Sequence, residues 1–244
     1  MLEINKTYAG DCLKIMQDID NNSIDLVLCD PPYGTTKCKW DSIIPLDLMW
    51  AQIKRVIKEK TAVVLMAGQP FTSNLIMSNV EMFKYCWYWQ KERLTNIAQV
   101  KKRAGKTVEE CCVFYQKQPI YHPIMVKHEG PKRSNKVKDG KLGELADSGM
   151  KKVKEYEDNG WRYPTQVLNI QRDILTCNLH KTQKPVALME YMIKTYTNEG
   201  QLVLDFAAGS GTTGVAAKNL NRNYILIEKE TNFVDIAKNR LNEK

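Results

Sequence analysis

A glycine-rich stretch near the carboxyl end of the sequence limits the fold more than any other feature. Residues 205–214 follow an apolar run that predicts a strand (201–204) and lead into a helical pattern (212–220). They carry the spacing G-x-G-x-x-G at Gly209, Gly211 and Gly214. Glu228 ends the next predicted strand (224–227), where a carboxylate can accept hydrogen bonds from ribose hydroxyls. This order of strand, glycine loop, helix, strand and acid predicts nucleotide binding rather than a simple tight turn.

The position of this stretch in the chain argues against a nicotinamide cofactor. Only residues 215–244 follow the last glycine, whereas a dinucleotide-binding fold needs further strands after this point. Asp205 closes the first strand, where its charge would repel a pyrophosphate but attract an ammonium group. S-adenosylmethionine carries an ammonium group and ribose hydroxyls, so these residues favour it, and a nicotinamide-dependent oxidoreductase is the alternative enzyme. The missing strands would then come from the N-terminal third, which makes the sheet circularly permuted.

The N-terminal third has the alternation of strands and helices that this arrangement requires. Apolar runs and helical spacing there predict strands at 24–29, 61–67 and 83–89 and helices at 46–58 and 70–80. Such alternation is typical of a parallel sheet with helices on its faces. Further along, the same signals predict a strand at 111–115 and helices at 186–196 and 233–241.

The first of these strands runs into an unusual turn, Asp30-Pro31-Pro32-Tyr33-Gly34. Pro31 disfavours a helical backbone at Asp30, and neither proline can donate to a sheet, so the chain has to leave the sheet here. Open α/β sheets bind their ligands at the carboxyl ends of parallel strands. This turn is therefore a second candidate for a functional site.

Together these motifs resemble the β group of amino-methylating DNA methyltransferases, the N6-adenine and N4-cytosine enzymes with a D-P-P-Y motif. In that group the D-P-P-Y motif comes first, a target-recognition segment follows, and the glycine-rich cofactor motif comes last. Further stretches that resemble the family are Gly10-Asp11-Cys12, residues 22–27, Thr182-Gln183-Lys184-Pro185 and residues 224–228. The resemblance covers nearly all of the chain outside about residues 116–178. Two departures are Phe206-Ala207-Ala208, where the family often has P-F-x, and His180-Lys181, where it often has H-P before Thr182.

The resemblance implies an α/β fold of the circularly permuted, Rossmann-like, S-adenosylmethionine-dependent methyltransferase type. Its sheet would be mostly parallel with one antiparallel strand. Residues 1–115 would form the catalytic part and residues 179–244 the S-adenosylmethionine-binding part of one methyltransferase domain. Residues 116–178 would be an inserted segment for target recognition and DNA binding.

The resemblance also assigns residues to the two parts of the site. The catalytic motif would be Asp30, Pro31, Pro32 and Tyr33. The S-adenosylmethionine site would include Asp11, Asp30, Lys184, Pro185, Asp205, Phe206, Ala207, Gly209, Ser210, Gly211, Thr212 and Glu228. The expected chemistry needs no metal ion.

The residue types of the D-P-P-Y motif can help a weakly nucleophilic amine to react. An exocyclic amine on a base reacts poorly because its lone pair is delocalised into the ring. Hydrogen bonds from the amine to the Asp30 carboxylate and the Pro31 carbonyl would draw the lone pair towards tetrahedral geometry, and the prolines would hold these acceptors in place. Tyr33 would stack on a base extruded from the duplex. The methyl group could then pass to nitrogen without a covalent enzyme intermediate.

The identity of the methylated base rests on the resemblance alone. In this family aspartate at the first motif position usually accompanies N6-adenine and serine N4-cytosine, so Asp30 implies adenine. Methylation of cytosine N4, or of RNA, is the alternative, and a non-catalytic DNA-binding regulator with the same fold is the alternative of another class. C5-cytosine chemistry is disfavoured because no Pro-Cys dipeptide occurs and Cys29 lies inside a predicted strand. Zinc-dependent deamination is disfavoured because no histidine forms an H-x-E motif with a following C-x-x-C.

The positive charge of the chain is concentrated in one segment. The net charge is +8, and residues 91–141 alone carry 13 Lys and Arg against five Asp and Glu. Such a run is either a solvated surface loop or a surface that follows phosphates. The resemblance favours binding of double-stranded DNA, with phosphate contacts from Lys101, Lys102, Arg103, Lys132 and Arg133. Trp87 and Trp89, in the strand before this segment, are expected in the core.

The apolar runs and the cysteine spacing of the chain predict an intracellular protein. No apolar run of about 18 residues predicts a membrane span, and the N-terminus lacks the apolar core of a signal peptide. Seven cysteines without C-x-x-C spacing predict reduced thiols rather than disulfides or a zinc ribbon. We expect a cytoplasmic protein of a bacterial or phage-infected cell. The sequence leaves open whether it forms a homodimer, whether a cognate restriction endonuclease accompanies it, and which DNA sequence it recognises.

Overall fold

Strands and helices alternate along the part of the chain that the computed structural model describes, residues 2–36, 41–130, 159–173 and 183–243. The strands are β1 (Lys6–Ala9), β2 (Ile24–Cys29), β3 (Ile57–Ala67), β4 (Phe83–Gln90), β5 (Val108–Phe114), β6 (Val126–Lys127), β7 (Trp161–Arg162), β8 (Val167–Asn169), β9 (Leu202–Asp205) and β10 (Asn223–Glu228). The helices are α1 (Cys12–Ile15), α2 (Leu46–Val56), α3 (Phe71–Met77), α4 (Val186–Tyr196), α5 (Thr212–Asn219) and α6 (Thr231–Leu241), with 3₁₀ turns at Met16–Asp18 and Ile97–Gln99.

The chain divides into two compact units. One contains residues 1–122 and 166–244, and the other contains residues 123–165, where β6 and β7 pair as a short antiparallel ribbon. The smaller unit lies within the segment 116–178 that is predicted to recognise the target, and this role stays a prediction. None of the described helices is long and apolar enough to cross a membrane.

Eight strands of the larger unit form one sheet in the order β1-β10-β9-β2-β3-β5-β4-β8. Strand β5 is antiparallel to both of its neighbours, β3 and β4, and the other neighbouring pairs are parallel. The predicted α/β sheet with one antiparallel strand is therefore confirmed. In its centre Leu26 and Val27 of β2 lie opposite Val203 and Leu204 of β9. Strands from the two ends of the chain are thus direct neighbours, as circular permutation requires.

Several element boundaries differ from the sequence prediction. The helix predicted at 46–58 ends at Val56, because Ile57 has an extended backbone (φ −75°, ψ 145°) and pairs with Ile24 as the first residue of β3. The helix predicted at 70–80 covers only Phe71–Met77. The sequence pattern does not predict β1 and β8, because Lys6–Ala9 contains no apolar run and Val167–Asn169 has only three residues.

Successive residues of the central strands pack on opposite faces of the sheet. In β2, Val27 and Cys29 join the apolar core that contains the inner faces of α2 and α3. Leu26 and Leu28 join the core on the other face, with α4 and α5. Both faces of the sheet are therefore covered by helices, and its carboxyl edge is left as the place for a ligand.

Three residues assigned to the core from the sequence are buried as predicted. Cys29 is fully buried, and burial raises the pKa of its thiol well above the usual range, which suits a core residue rather than a nucleophile. Trp87 and Trp89 are also buried. Their indole N–H groups donate to the Tyr196 hydroxyl and the Ile170 carbonyl, each at 2.7 Å. Both rings are therefore committed to packing and are not available to stack on bases.

The glycines of the loop between β9 and α5 have different structural requirements. Gly211 has a φ of +79°, and a Cβ at this position would lie 2.8 Å from the Cβ of Ala237 in α6. Gly209 has a φ of +51°, but a Cβ there would meet no atom within 4 Å. Gly211 is therefore required by packing as well as by its backbone conformation.

Replacement of Gly211 by alanine should destabilise the fold more than replacement of Gly209 by alanine. Both variants carry the cost of a left-handed backbone, about 1 kcal/mol, but only Gly211→Ala adds the close contact with Ala237. We expect this contact to lower the free energy of unfolding by a further ~1–3 kcal/mol, measured by urea denaturation without cofactor. Equal losses in the two variants would contradict a packing role for Gly211.

Candidate active site

A pocket of about 580 Å³ lies at the carboxyl ends of β2 and β9. The strand order reverses between these two strands, and ligands of open α/β sheets bind at such a point. The predicted site residues that line the pocket are Asp11, Asp30, Pro31, Pro32, Tyr33, Lys184, Asp205, Phe206, Ala207, Gly209, Ser210, Thr212 and Glu228. Of the predicted catalytic and cofactor-binding residues, Pro185 and Gly211 are absent from the lining. The catalytic and cofactor motifs therefore share one cavity although they are far apart in sequence.

Asp205 is the most strongly perturbed acid of the pocket. Its carboxylate is 3% exposed and accepts hydrogen bonds from the Ala207 backbone N–H (3.1 Å) and the Thr213 hydroxyl (2.6 Å). Burial raises the pKa of this carboxyl to about 6, although these two hydrogen bonds oppose the shift. An ammonium group in the pocket would favour the charged carboxylate and draw the pKa back down.

Glu228 accepts hydrogen bonds from two loops of the pocket lining. Its Oε2 accepts a hydrogen bond from the Gly209 backbone N–H at 2.7 Å, and its Oε1 accepts one from the Glu230 backbone N–H at 2.9 Å. Each carboxylate oxygen can accept a second hydrogen bond, for example from a ribose hydroxyl. Asp11 caps α1 by accepting from the Leu13 N–H at 3.0 Å, so the first turn of this helix is held beside Glu228 in the same lining.

Gln183 adds a hydrogen-bond donor that the predicted site omits, although the residue lies within the T-Q-K-P stretch. Its Oε1 accepts from the Ser210 hydroxyl at 3.1 Å, while its Nε2 is buried without a hydrogen-bond partner among the described residues. An unpaired buried donor costs about 1–3 kcal/mol, which a carboxylate on a ligand would offset. The lining thus combines acids for an ammonium group and for hydroxyls with a donor for a carboxylate. This set fits S-adenosylmethionine.

The aromatic residues of the pocket lining come from other positions than in the family pattern. Ala207 stands at the position where the family often has phenylalanine. The ring of Phe233, from α6, lines the same pocket, and Phe206 is buried at its edge. Phe233 therefore supplies an aromatic side chain to a lining in which position 207 has none.

At the D-P-P-Y turn, two donors hold the Asp30 carboxylate. The Tyr33 hydroxyl donates to Oδ1 at 2.6 Å, and the Lys184 ammonium donates to Oδ2 at 2.5 Å. The Tyr33 ring stacks on Phe71 with centroids 5.3 Å apart. Burial and the neighbouring Asp30 raise the pKa of the Tyr33 hydroxyl well above its usual range, so it remains a donor.

A chain of alternating charges continues from Asp30 into the protein. Lys184 also lies 3.4 Å from Glu109 Oε2, and Glu109 forms a second ion pair with Lys91. Burial alone would lower the pKa of the Lys184 ammonium, but Asp30 and Glu109 outweigh it and raise this pKa above its usual range. Burial likewise opposes ionisation of Glu109, yet Lys184 and Lys91 hold its pKa below the usual value. Glu109 and Lys91 belong to no sequence motif, so the predicted site does not include them.

Asp41 fixes the loop that follows Tyr33. Its carboxylate accepts backbone N–H hydrogen bonds from Gly34 (2.8 Å), Thr35 (2.9 Å) and Thr36 (2.6 Å). Burial opposes its charge, but the hydrogen bonds from Thr36 and Gly34 outweigh it and lower the pKa of this carboxyl. This acid, which also lines the pocket, is a further residue that the predicted site omits.

The predicted DNA contacts fall into two groups. Lys101, Lys102 and Arg103 are exposed in the loop between β4 and β5, and Thr95 and Lys106 of the same loop line the pocket. The other two, Lys132 and Arg133, lie outside the described residues, as do His180, Lys181 and Thr182. The first group is therefore placed next to the candidate active site.

Comparisons with known proteins agree with this geometry. The DNA methylase family N6_N4_Mtase matches residues 24–239. The Type II methyltransferase M1.MboII of Moraxella bovis is 30% identical over 100% of this chain and 98% of its own length. The crystal structure of the M1.HpyAVI–SAM complex has a TM-score of 0.65 at 24% identity, covering 97% of this chain and 98% of that one. The cytosine-N4-specific PvuII DNA methyltransferase has a TM-score of 0.64 at 19% identity, covering 98% and 93%. The chain therefore belongs to this family of amino-methylating DNA methyltransferases.

The raised pKa of Asp205 predicts a pH-dependent affinity for a cationic ligand. The carboxyl is mostly protonated below about pH 6 and charged above it, so binding of an ammonium group should strengthen as pH rises from 5 to 7. We expect the dissociation constant of S-adenosylmethionine to fall by up to about tenfold per pH unit below this pKa, measured by calorimetry.

Asp205→Asn should weaken cofactor binding and flatten this pH dependence. The control variant Asp235→Asn, on the exposed side of α6, should keep both the wild-type affinity and its pH dependence. A steep pH dependence that persists in Asp205→Asn would assign the titration to another group.

Proposed function

We propose that this DNA methyltransferase transfers the methyl group of S-adenosylmethionine to the exocyclic N6 amine of an adenine flipped out of double-stranded DNA. One observation carries the proposal: the Asp30 carboxylate lines the same pocket of about 580 Å³ as Asp205 and Glu228. A donor bound by the two acids and an amine bound by Asp30 would lie in one cavity, as direct transfer requires.

The residues around Asp30 are suited to accept hydrogen bonds from an amine. Tyr33 and Lys184 each use one site on the carboxylate, and a carboxylate has about four such sites. The carboxylate can therefore accept from the target amine without losing the donors that orient it. Because the donors are in place before any substrate binds, little reorganisation is needed in the transition state.

S-adenosylmethionine, when bound, supplies an electrophilic methyl group. The chain's own residues select its orientation. Asp205 favours the ammonium group, Glu228 the ribose hydroxyls and the Gln183 amide the carboxylate. Pro31 and Pro32 stiffen the turn that carries Asp30. The catalytic role of Tyr33 and the cofactor roles of the lining residues are part of this proposal.

Adenine is proposed over cytosine because Asp30 occupies the first motif position, where aspartate usually accompanies N6-adenine in this family. The PvuII enzyme, which is cytosine-N4-specific, has the same fold, so the fold does not discriminate between the two bases.

Residues 116–178 are proposed to recognise the target sequence. We propose action on DNA in the bacterial cytoplasm. The Type II name of the Moraxella relative favours a restriction–modification setting, while a homodimer and a cognate endonuclease stay open.

Mass spectrometry of nucleosides tests the assignment of the base. After incubation with labelled S-adenosylmethionine and unmethylated duplex DNA, we expect N6-methyladenine. N4-methylcytosine in its place would contradict the adenine assignment, and label in RNA alone would contradict DNA as the substrate. Absence of methylated nucleosides from every DNA tested would favour a non-catalytic DNA-binding protein.

Asp30→Asn keeps the shape of the catalytic side chain but removes its negative charge. We expect single-turnover methyl transfer to slow by about 100-fold or more, with cofactor binding still measurable by calorimetry. The control variant Asp47→Asn changes an exposed aspartate of α2 and should transfer at the wild-type rate. Full activity of Asp30→Asn would remove Asp30 from the mechanism.

Neutralisation of Lys101 and Lys102 by glutamine should weaken binding to all DNA sequences alike. For each phosphate that the protein no longer neutralises, the slope of log affinity against log salt concentration should become shallower by about one unit, while cofactor affinity stays unchanged. Lys54→Gln with Lys60→Gln removes the same charge from exposed positions in α2 and β3 and serves as the control. Weaker binding of only one DNA sequence would indicate base reading rather than phosphate binding.

A further inference from the structure

The loop between β4 and β5, residues 91–107, presents an apolar side chain that the proposed function does not use. Ile97, in the 3₁₀ turn Ile97–Gln99, is 70% exposed, and Val100 just beyond it is 42% exposed. Single exposed apolar residues are common on protein surfaces. Exposure alone therefore does not make Ile97 part of a binding site. The shape, position and charge of the loop are needed as well.

The loop is held in shape by hydrogen bonds across its base. The backbone N–H of Thr95 donates to the Lys106 carbonyl at 2.9 Å, and the N–H of Lys106 donates to Asn96 Oδ1 at 2.6 Å. The Asn96 amide then donates to the Ala104 carbonyl at 3.0 Å. Ile97 follows directly after this clamp, so the turn that carries it is anchored by hydrogen bonds within the loop.

The clamp lies at the rim of the candidate active site. Thr95 and Lys106 both line the pocket, and Ile97 is only two residues from Thr95, which places the two Cα atoms within about 7 Å. The sheet topology accounts for this position. Because β5 is antiparallel to both β3 and β4, strand β4 runs parallel to β2 and ends at the same edge of the sheet.

The charge beside Ile97 identifies the partner that would cover it. Exposed Lys101, Lys102 and Arg103 follow the apolar turn within six residues, and Arg93 precedes it. An apolar tip flanked by cations matches a nucleic acid duplex, in which stacked bases lie between two rows of phosphates.

We propose that Ile97 is a wedge that enters the base stack of the duplex when the target base moves into the pocket. This inference rests on the proposed function, because it needs a base to leave the duplex. Extrusion of a base costs a few kcal/mol of unstacking and unpairing. An apolar side chain that fills the vacated space offsets part of this cost, as inserted side chains do in other DNA-distorting proteins.

The test compares single-turnover methyl transfer on two duplexes built around the site that the wild-type protein itself methylates. One duplex is fully paired, and the other has an abasic position opposite the target base, so that the target is already unpaired. We expect Ile97→Ala to transfer about tenfold or more slowly on the paired duplex, and to return to near the wild-type rate on the abasic duplex. Met77→Ala is the control, because Met77 is 73% exposed on α3 and outside the pocket lining.

Three results would overturn the wedge. Ile97→Ala could transfer as fast as wild type on the paired duplex, it could lose the same factor on both duplexes, or it could change the oligomeric state in sedimentation, which would make Ile97 an interface residue. Wild-type protein that methylates no DNA would overturn the proposed function itself. Failure of the wedge proposal is distinguishable from failure of the proposed function, because the wild-type protein still methylates DNA when only the wedge proposal is wrong.

Discussion

The partly buried ion pair between Lys184 and Asp30 is the contact on which the candidate active site depends. Lys184 is 7% exposed, and a buried charge is tolerated only when it is paired. Its partners come from different parts of the sheet, Asp30 from the end of β2 and Glu109 from β5, with Lys91 behind Glu109. One ammonium group therefore ties the segment before α4 to two strands of the N-terminal half. Loss of one partner from such a network typically costs about 3–5 kcal/mol.

Circular permutation explains why acidic residues from distant parts of the chain meet in one pocket. Strands β2 and β9 come from opposite ends of the chain but are neighbours in the sheet, so Asp30 and Asp205 both follow parallel strands at the same edge. The antiparallel strand β5 begins at this same edge, which places Glu109, its second residue, there. The loop before β5 is carried to the same place, which puts an exposed basic segment beside the pocket. The arrangement of charges thus follows from strand order, and the permutation alters only where in the chain each part is encoded.

The sequence predicts those parts of the site that have a local signature. The proline turn after Asp30 and the glycine spacing around Gly211 are recognisable because proline and glycine restrict or widen the backbone in fixed ways. The apolar periodicity likewise predicts α4 with its correct ends. Glu109 has no such signature: its role arises only when β5 pairs between β3 and β4. The short strand β1 is also missed, since Lys6–Ala9 contains no apolar run.

The most direct test of this account is a double-mutant cycle between Lys184 and Asp30, read out as the rate of single-turnover methyl transfer. Lys184→Met and Asp30→Asn each remove one end of the contact, and the cofactor concentration is kept saturating for every variant. If Lys184 acts by holding the Asp30 carboxylate, the double variant should be no slower than Asp30→Asn alone, because residues that act as a unit are not additive. Losses that multiply in the double variant would contradict the account, since Lys184 would then act independently of Asp30.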